Sequence, residues 1–559
     1  MLNYRFQSIT WILLFLLSNA GLSQSWRSSL YPVDWQPGYS DSEGRFLHDF
    51  SYAGYHSGLK EIPFIEDNIV DVTKPPYNAD NTGEKDVTAI IQQAIDDVGQ
   101  DGGGVVFLPA GEYAISLQGQ EALLIKHSHV VLRGAGTGST FLKNTSTHIR
   151  FKSLILFRPD GGRWNNPAGK EVSITKDLLR PATVIPVEDA SAFAIGDLVV
   201  LTSDCTEEFI REHRSEGIWN TNLTGPRFCR FIMGVDRKNN TIAIDAPTRY
   251  FLKKRDHARV YKIGQQLEEC GMEDISIGNI QHPKATGWDE DYAFHDKGTG
   301  PYEVHGSCFI RFRRAMNCWI SNVDSYRPEE NKDDFHLLSN CMKIGESRFV
   351  TAVKCDFRKP QYEGGGGNGY MYELNGNDCL AKRCHAEHSR HNYDLKSMTS
   401  NGNVIYRCTS KDPRYASDFH MYLSMANLFD SFVSEGDYID ARFRPWGGSD
   451  GHSYHGYSTT QSVIWNTIGL KPHRIGFLID ARQFGRGYVI GTSGQTHNVN
   501  TEPVSGVFLG LDYDTSPEDF VEGEGRGEWL VPQSLYKDQL EKRKARIRNQ
   551  KDRPVIPQL

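Results

Sequence analysis

DVTKPPYNADNTGEKDVTAIIQQAIDDVGQDGGGVVFLPAGEYAIS, residues 71–116, is the stretch whose reading decides the fold. Val87, Ile90, Ile91, Ala94, Ile95 and Val98 recur at steps of three and four, which draws one apolar stripe on a helix of about three turns. Asp86 stands before the run as a capping residue, and Gly102 to Gly104 end it. Val105 to Leu108 then make a short apolar strand, and Pro109-Ala110-Gly111 turns the chain into a second one. A helix followed by two short strands suits a cover over the open end of a stacked coil, whose first turn would otherwise expose apolar side chains and unpaired backbone.

Thr88, Ala89, Ile90, Gln92, Ala94, Ile95, Gly103, Gly104, Val105, Pro109, Gly111 and Tyr113 resemble the N-terminal segment of the pectate lyase superfamily. There a D-D-T-x-A-I-Q-x-A-I-type helix precedes G-G-G-x-V-x-x-P-x-G-x-Y. The resemblance implies an all-β fold, a right-handed parallel β-helix solenoid with an N-terminal capping helix. It implies no single reaction, because that scaffold carries lyases, hydrolases, epimerases and non-catalytic fibres.

Outward from this stretch, the chain of 559 residues divides by composition. Residues 1–24 carry Arg5, an apolar run from Trp11 to Leu17 and then small polar residues, the pattern of a signal peptide, so export to the periplasm or medium is expected. That apolar run is short of the roughly 20 residues of a membrane span, and no later segment supplies one. Residues 25–70, dense in aromatics, read as an arm packed on the coil. The β-helix is assigned to 71–500, with a small β-rich insertion at 183–262 where strong alternation replaces the coil pattern. Residues 501–559, charged and poor in glycine, read as a C-terminal cap and loose tail, with its Lys and Arg on a solvated face.

The net charge of -8, from 62 basic and 70 acidic residues, gives no global attraction to nucleic acid. Nothing in the sequence sets an oligomeric state. Ten cysteines fall between Cys205 and Cys408 without a C-x-x-C pair, which speaks against zinc or redox chemistry. Cys355, Cys384, Cys408 and Phe432 recur at 29, 24 and 24 residues, the length of a three-strand turn of coil. Equivalent positions stack inward, so these cysteines read as a buried ladder of free thiols.

The interior of such a coil is filled, so chemistry must sit on an outer face. In NYDLK, alternation turns Tyr393 and Leu395 inward and Asn392, Asp394 and Lys396 outward. One turn later, FHMYL places His420 and Tyr422 outward and Phe419, Met421 and Leu423 inward. The preceding turn offers Met371 and Glu373. A second cluster, 442–467, gathers Arg442, Arg444, Trp446, Asp450, His452, Tyr454 and His455, where rings beside hydrogen-bonding groups suit sugars. The His452 and His455 pair offers metal ligands without a third at fixed spacing.

Two reactions on a polysaccharide fit these residue types. A lyase acting on a uronate neutralises its carboxylate and removes the C5 proton; Lys396 serves as base with His391 or His420, and Arg390 or Arg407 steadies the carboxylate. A bound Ca²⁺ is compatible with that chemistry, without a ligand motif that identifies it. A hydrolase needs two carboxylates, for which Asp394, Asp418 and Asp450 are available. A non-catalytic carbohydrate-binding or fibre protein is the third reading. LKSMTSNGNVIYRC, residues 395–408, resembles the N-K-S-x-x-N-x-x-R stretch of the alginate lyase and chondroitinase B family at Lys396 and Ser397. That resemblance implies a lysine base. The family's R-H-G a turn later is here Phe419-His420-Met421.

Overall fold

The computed structural model describes residues 24–284, 286–445, 454–504, 507–508, 511–512 and 516–551. Its body is a parallel β-helix. One repeat consists of Leu380–Lys382, His385–Glu387 and His391–Leu395, and the next of Val404–Tyr406, Thr409–Lys411 and Ser417–Phe419. Each strand pairs in parallel with its counterpart 24 residues on, as Leu380 does with Val404, His385 with Thr409 and Asp394 with Asp418. The chain follows this pattern because the short strands turn central residues such as Ala381, Ala386 and Ile405 into the core and end at a corner. At one corner Asn403 accepts from the Cys379 amide at 2.9 Å and Asn427 accepts from the Asn403 amide at 3.0 Å, so stacked amides satisfy the turn backbone.

The cap is a helix, Thr88–Gln100, that buries Ile91, Ala94, Ile95 and Val98. Asp86 lies just outside it and accepts from the Thr88 amide at 2.8 Å. Gly104 opens the following strand, Gly104–Leu108, at φ 145°, and a Cβ there would stand 2.4 Å from the Asn68 carbonyl oxygen. The interior holds Cys355, Cys384 and Cys408 as free thiols in one continuous apolar core, with Tyr372 stacked on Tyr393 at 4.9 Å between ring centres.

Three boundaries differ from the sequence reading. The insertion is a six-stranded antiparallel sheet that starts at Val172–Ser173, because this two-residue strand pairs with Arg259–Lys262. The coil continues beyond 500, since Phe520–Glu522 pairs in parallel with Tyr488–Gly494. The C-terminal helix, Leu535–Lys551, is bound to the arm: Gln539 accepts from the Phe50 amide at 2.8 Å and donates to the His48 carbonyl at 2.9 Å. Arg543 there is buried and donates to the Ser51 carbonyl at 3.0 Å, so it is not on a solvated face.

The insertion touches the coil at several places, two of which bear on the site. Arg230 and Arg249 reach Asp378 at 3.3 and 2.8 Å, and Arg348 of the coil reaches it at 3.3 Å, all fully buried. Farther along, Trp219 donates to the His455 carbonyl at 3.2 Å and Tyr454 donates its amide to Ile218 at 2.8 Å. The insertion thereby walls one end of the face carrying the second polar cluster.

Candidate active site

On one sheet of the coil a single register column reads Lys343, Glu373, Asp394, Asp418, Asp440 and Asp480 on successive strands. Neighbouring strands stand about 4.8 Å apart, so five carboxylates in line would repel one another without cations between them. Lys343 and Lys396 reach Glu373 Oε2 at 3.1 and 2.9 Å, and Lys396 lies 3.4 Å from Asp394. Arg444 joins Asp418 to Asp440 at 2.8 and 2.7 Å, and Arg442 reaches Asp480 at 3.0 Å.

This arrangement sets the protonation of each group. Burial works against both charges of the Lys396 and Glu373 pair, yet mutual attraction outweighs it. The Lys396 ammonium is held above the ordinary lysine value, and Glu373 below the carboxylate range. Asp394 is fully buried with no hydrogen bond to either oxygen, and burial, aided by Asp418 and Glu373, lifts it well above the usual carboxylate value. Burial also pushes His420 well below the usual imidazole value, joined by Arg444, His455 and Lys396. The same cause lowers His391, against the pull of Asp418.

His420 is the centre of the cluster. Asp418 Oδ2 lies 2.9 Å from its Nδ1, a carboxylate contact that favours the hydrogen on Nδ1 and leaves the Nε2 lone pair outward. The Tyr370 hydroxyl lies 3.4 Å from that Nε2. Arg444 Nη1 stands 3.0 Å from Nδ1, and the His391 and His455 rings are 5.2 and 4.9 Å away. His391 donates from Nδ1 to the Ala416 carbonyl at 2.7 Å.

Several sequence expectations change here. Lys396 is paired with Glu373 and lies beside Asp394, an arrangement that favours its protonated form over the free amine a base requires. Asn392 turns inward and donates to the Ala386 carbonyl at 3.0 Å and the Ser410 hydroxyl at 2.7 Å, so alternation breaks between His391 and Asp394. Met371 is buried in the core, and Tyr370, one residue earlier, faces the site. After Phe419 the strand ends: Met421 is half-buried, while Leu423 packs against the insertion's core. Arg407 does not join the site. It sits exposed at a corner with φ 50°, amid a different sheet, where its charge acts on Asp430. Arg390 borders the cluster and is paired with Asp291 at 2.9 Å. Tyr422 is half-buried, 6.3 Å from the His455 ring. Trp446, Asp450 and His452 lie outside the described residues.

Sequence reasoning missed Tyr370, Lys343 and Asp440. Lys343 and Asp440 stand in strands whose place in the register column only the stacked coil reveals. Tyr370 had a signal, the aromatic pair in GYMY, but parity turned Met371 outward and left both tyrosines inward.

Among the described residues, His391, Asp418 and His420 bring three metal-ligating atoms within 4.8 Å, as do His148, His282 and Glu303. Ca²⁺ demands six to eight oxygens. The first group offers two imidazoles and a carboxylate already paired with Arg444, so this donor set does not fit calcium. In the second, Lys284 stands 3.2 Å from Glu303 and occupies the carboxylate.

Residues 70–168 match the family model described as rhamnogalacturonase A/epimerase, pectate lyase-like. Local stretches resemble proteins of Azotobacter vinelandii. Mannuronan C5-epimerase AlgE3 is 46% identical over 78 residues, 13% of this chain and 4% of that protein. Alginate lyase 7 is 46% identical over 70 residues, 12% and 8% of the two chains. Mannuronan C5-epimerase AlgE6 is 38% identical over 121 residues, 21% and 14%. The matched stretches therefore span a small part of each relative. The tailspike of E. coli bacteriophage HK620 in complex with a pentasaccharide superposes with TM-score 0.41 and 12% identity over 76% of this chain and 57% of that one. The N-terminal segment is thus pectate lyase-like by its match, and it leads into a coil whose stacked parallel strands form a β-helix.

Proposed function

We propose that this protein is an exported enzyme that binds an acidic polysaccharide and abstracts the C5 proton of a uronate, with β-elimination of the 4-linked sugar. One observation carries the reading. The His420 imidazole and the Lys396 ammonium reach the surface of the site, while Asp394 and Asp418 lie beneath them with no exposed side-chain surface. A hydrolase needs two carboxylates in contact with the bond, and these two are covered.

In this mechanism Lys396 and Arg444 flank His420 and draw in the substrate carboxylate, whose neutralisation acidifies C5. His420 Nε2 takes the proton, the electron pair forms the C4–C5 double bond, and the C4–O4 bond breaks. Tyr370 gives its hydroxyl proton to the leaving oxygen. Asp418 holds the ring and stabilises the imidazolium. Epimerisation begins with the same abstraction and ends with return of a proton to the opposite face of C5.

The relatives are named for mannuronan and alginate, so polymannuronate and alginate are the first substrates to test. The 1–24 leader is read as the export signal. Incubation in D₂O separates the outcomes. Ultraviolet absorbance of an unsaturated uronate establishes elimination, and C5 deuterium without absorbance establishes epimerisation. Reducing ends without either overturn the proposal in favour of hydrolysis, and silence on a panel of uronate polymers favours a binding protein.

A further inference from the structure

We propose that Arg390, Arg414, Tyr415 and Arg474 form a carboxylate subsite for the sugar next to the reacting one, and that Asp291 fills it in the free protein. This rests on the uronate reading above and adds where a second uronate binds and what must leave first.

The Tyr415 ring is surrounded by three guanidinium groups, with Arg390, Arg414 and Arg474 at 4.6, 5.3 and 5.9 Å from its centre. It lies 5.9 Å from the His391 ring and nearly parallel to it, which places it beside the reacting groups. One carboxylate pairs with two of these three cations and with the ring's hydroxyl. Asp291 Oδ1 accepts from Arg390 at 2.9 Å and Arg414 at 3.1 Å, and Oδ2 accepts from the Tyr415 hydroxyl at 3.4 Å. Among the described residues no carboxylate pairs with the exposed Arg474, and the buried Arg390 Nε has no hydrogen bond.

Asp291 thus presents two oxygens as a uronate would. It belongs to no strand of the coil. Its connection, 280–299, lies between Gly271–Asn279 and Gly300–Val304 and is held near Tyr415 by the Gly365 amide, which donates to the Asp291 carbonyl at 2.7 Å. Displacing the Asp291 side chain breaks no strand pairing of the coil. A uronate arriving here takes over the guanidinium groups and lays its ring face on Tyr415. A neutral sugar cannot compete with Asp291, so the subsite selects chains with carboxylates on consecutive sugars.

The test uses the full-length protein with defined uronate oligosaccharides and their carboxyl-reduced counterparts, following KM, kcat and calorimetric affinity. Arg414→Ala and Arg474→Ala should raise KM for the acidic oligomers about tenfold, the loss of one charged hydrogen bond, with partial rescue by Arg414→Lys. Asp291→Asn should lower KM, because the internal competitor loses its charge. Unchanged KM in both arginine variants would overturn the subsite, and the exposed position of Arg474 makes its variant a test free of folding effects. Unchanged or raised KM in Asp291→Asn would overturn the displacement. Oligomer binding that weakens as expected in a protein without turnover on any uronate would leave the subsite standing and remove the reaction assigned above.

Discussion

Asp418 holds His420 through a 2.9 Å contact between Oδ2 and Nδ1, and the same carboxylate oxygen is tied to Arg444 at 2.8 Å. One buried anion therefore fixes both the proposed base and a proposed substrate cation. Asp418→Asn keeps the shape but loses the charge that sets the tautomer and stabilises the imidazolium. We expect kcat to fall about 100- to 1,000-fold with a smaller change in KM, a split measured in steady-state kinetics. Loss confined to KM would assign Asp418 to substrate binding alone.

Lys396→Ala removes a cation from beneath the substrate and leaves Glu373 and Asp394 facing each other with Lys343 as the remaining ammonium. An outward strand residue in water would leave stability unchanged, but this one is inside a buried ion pair. We expect a loss of up to about 3–5 kcal/mol in denaturant unfolding together with loss of turnover. Lys396→Ala with wild-type stability would mean the pair is solvated.

The pH profile distinguishes an imidazole base from an amine. His420, lowered by burial, stays unprotonated through the ordinary imidazole range, so activity persists as pH falls past about 6.5 and is lost only well below it. Burial raises Tyr370, which keeps its proton through neutral pH to beyond about 10. The expected kcat/KM profile is flat between these limits. A lysine base would instead give a rate climbing into the alkaline range, which would return the role to Lys396.

How much of this was legible in the sequence follows from the range of the interactions. The cap helix and its strand are encoded by residues a few positions apart, so Ile91, Ala94 and Ile95 announce their face. The 24-residue recurrence of Cys384, Cys408 and Phe432 announces the coil. Alternation also turned Asp394, Lys396 and His420 to one face. It failed at Asn392, because a corner side chain that satisfies the Ala386 carbonyl outweighs strand parity. The pairing of Lys396 with Glu373, which favours its protonated form over the free amine, depends on stacking across turns and has no local signature.

Ten cysteines are buried as free thiols, and none forms a disulfide. A thiol reagent should find none accessible in the native protein and ten after denaturation, with no change in the thermal transition under reductant. Cys384→Ser puts a hydroxyl into the apolar stack between Cys355 and Cys408 and should cost about 1–3 kcal/mol in urea unfolding. A neutral substitution would show that the ladder tolerates polar atoms.

The strongest stability test lies at Asp378, where three buried guanidinium groups converge. Burial opposes its charge, yet Arg230, Arg249 and Arg348 outweigh it and hold the carboxyl down to about 2. Its contribution is therefore present above the unfolded value of about 4 and is lost as pH falls toward 2. Arg249 also donates to the Asp49 carbonyl at 2.8 Å, so this anion joins insertion, arm and coil. Asp378→Ala strands three cations in a dry interface and should cost about 3–5 kcal/mol. Because two of them belong to the insertion, hydrogen exchange should rise first in Arg227–Asp236 and its neighbour Leu198–Thr202, while the coil around Cys384 stays protected. Uniform loss of protection along the chain would show that insertion and coil unfold as one unit.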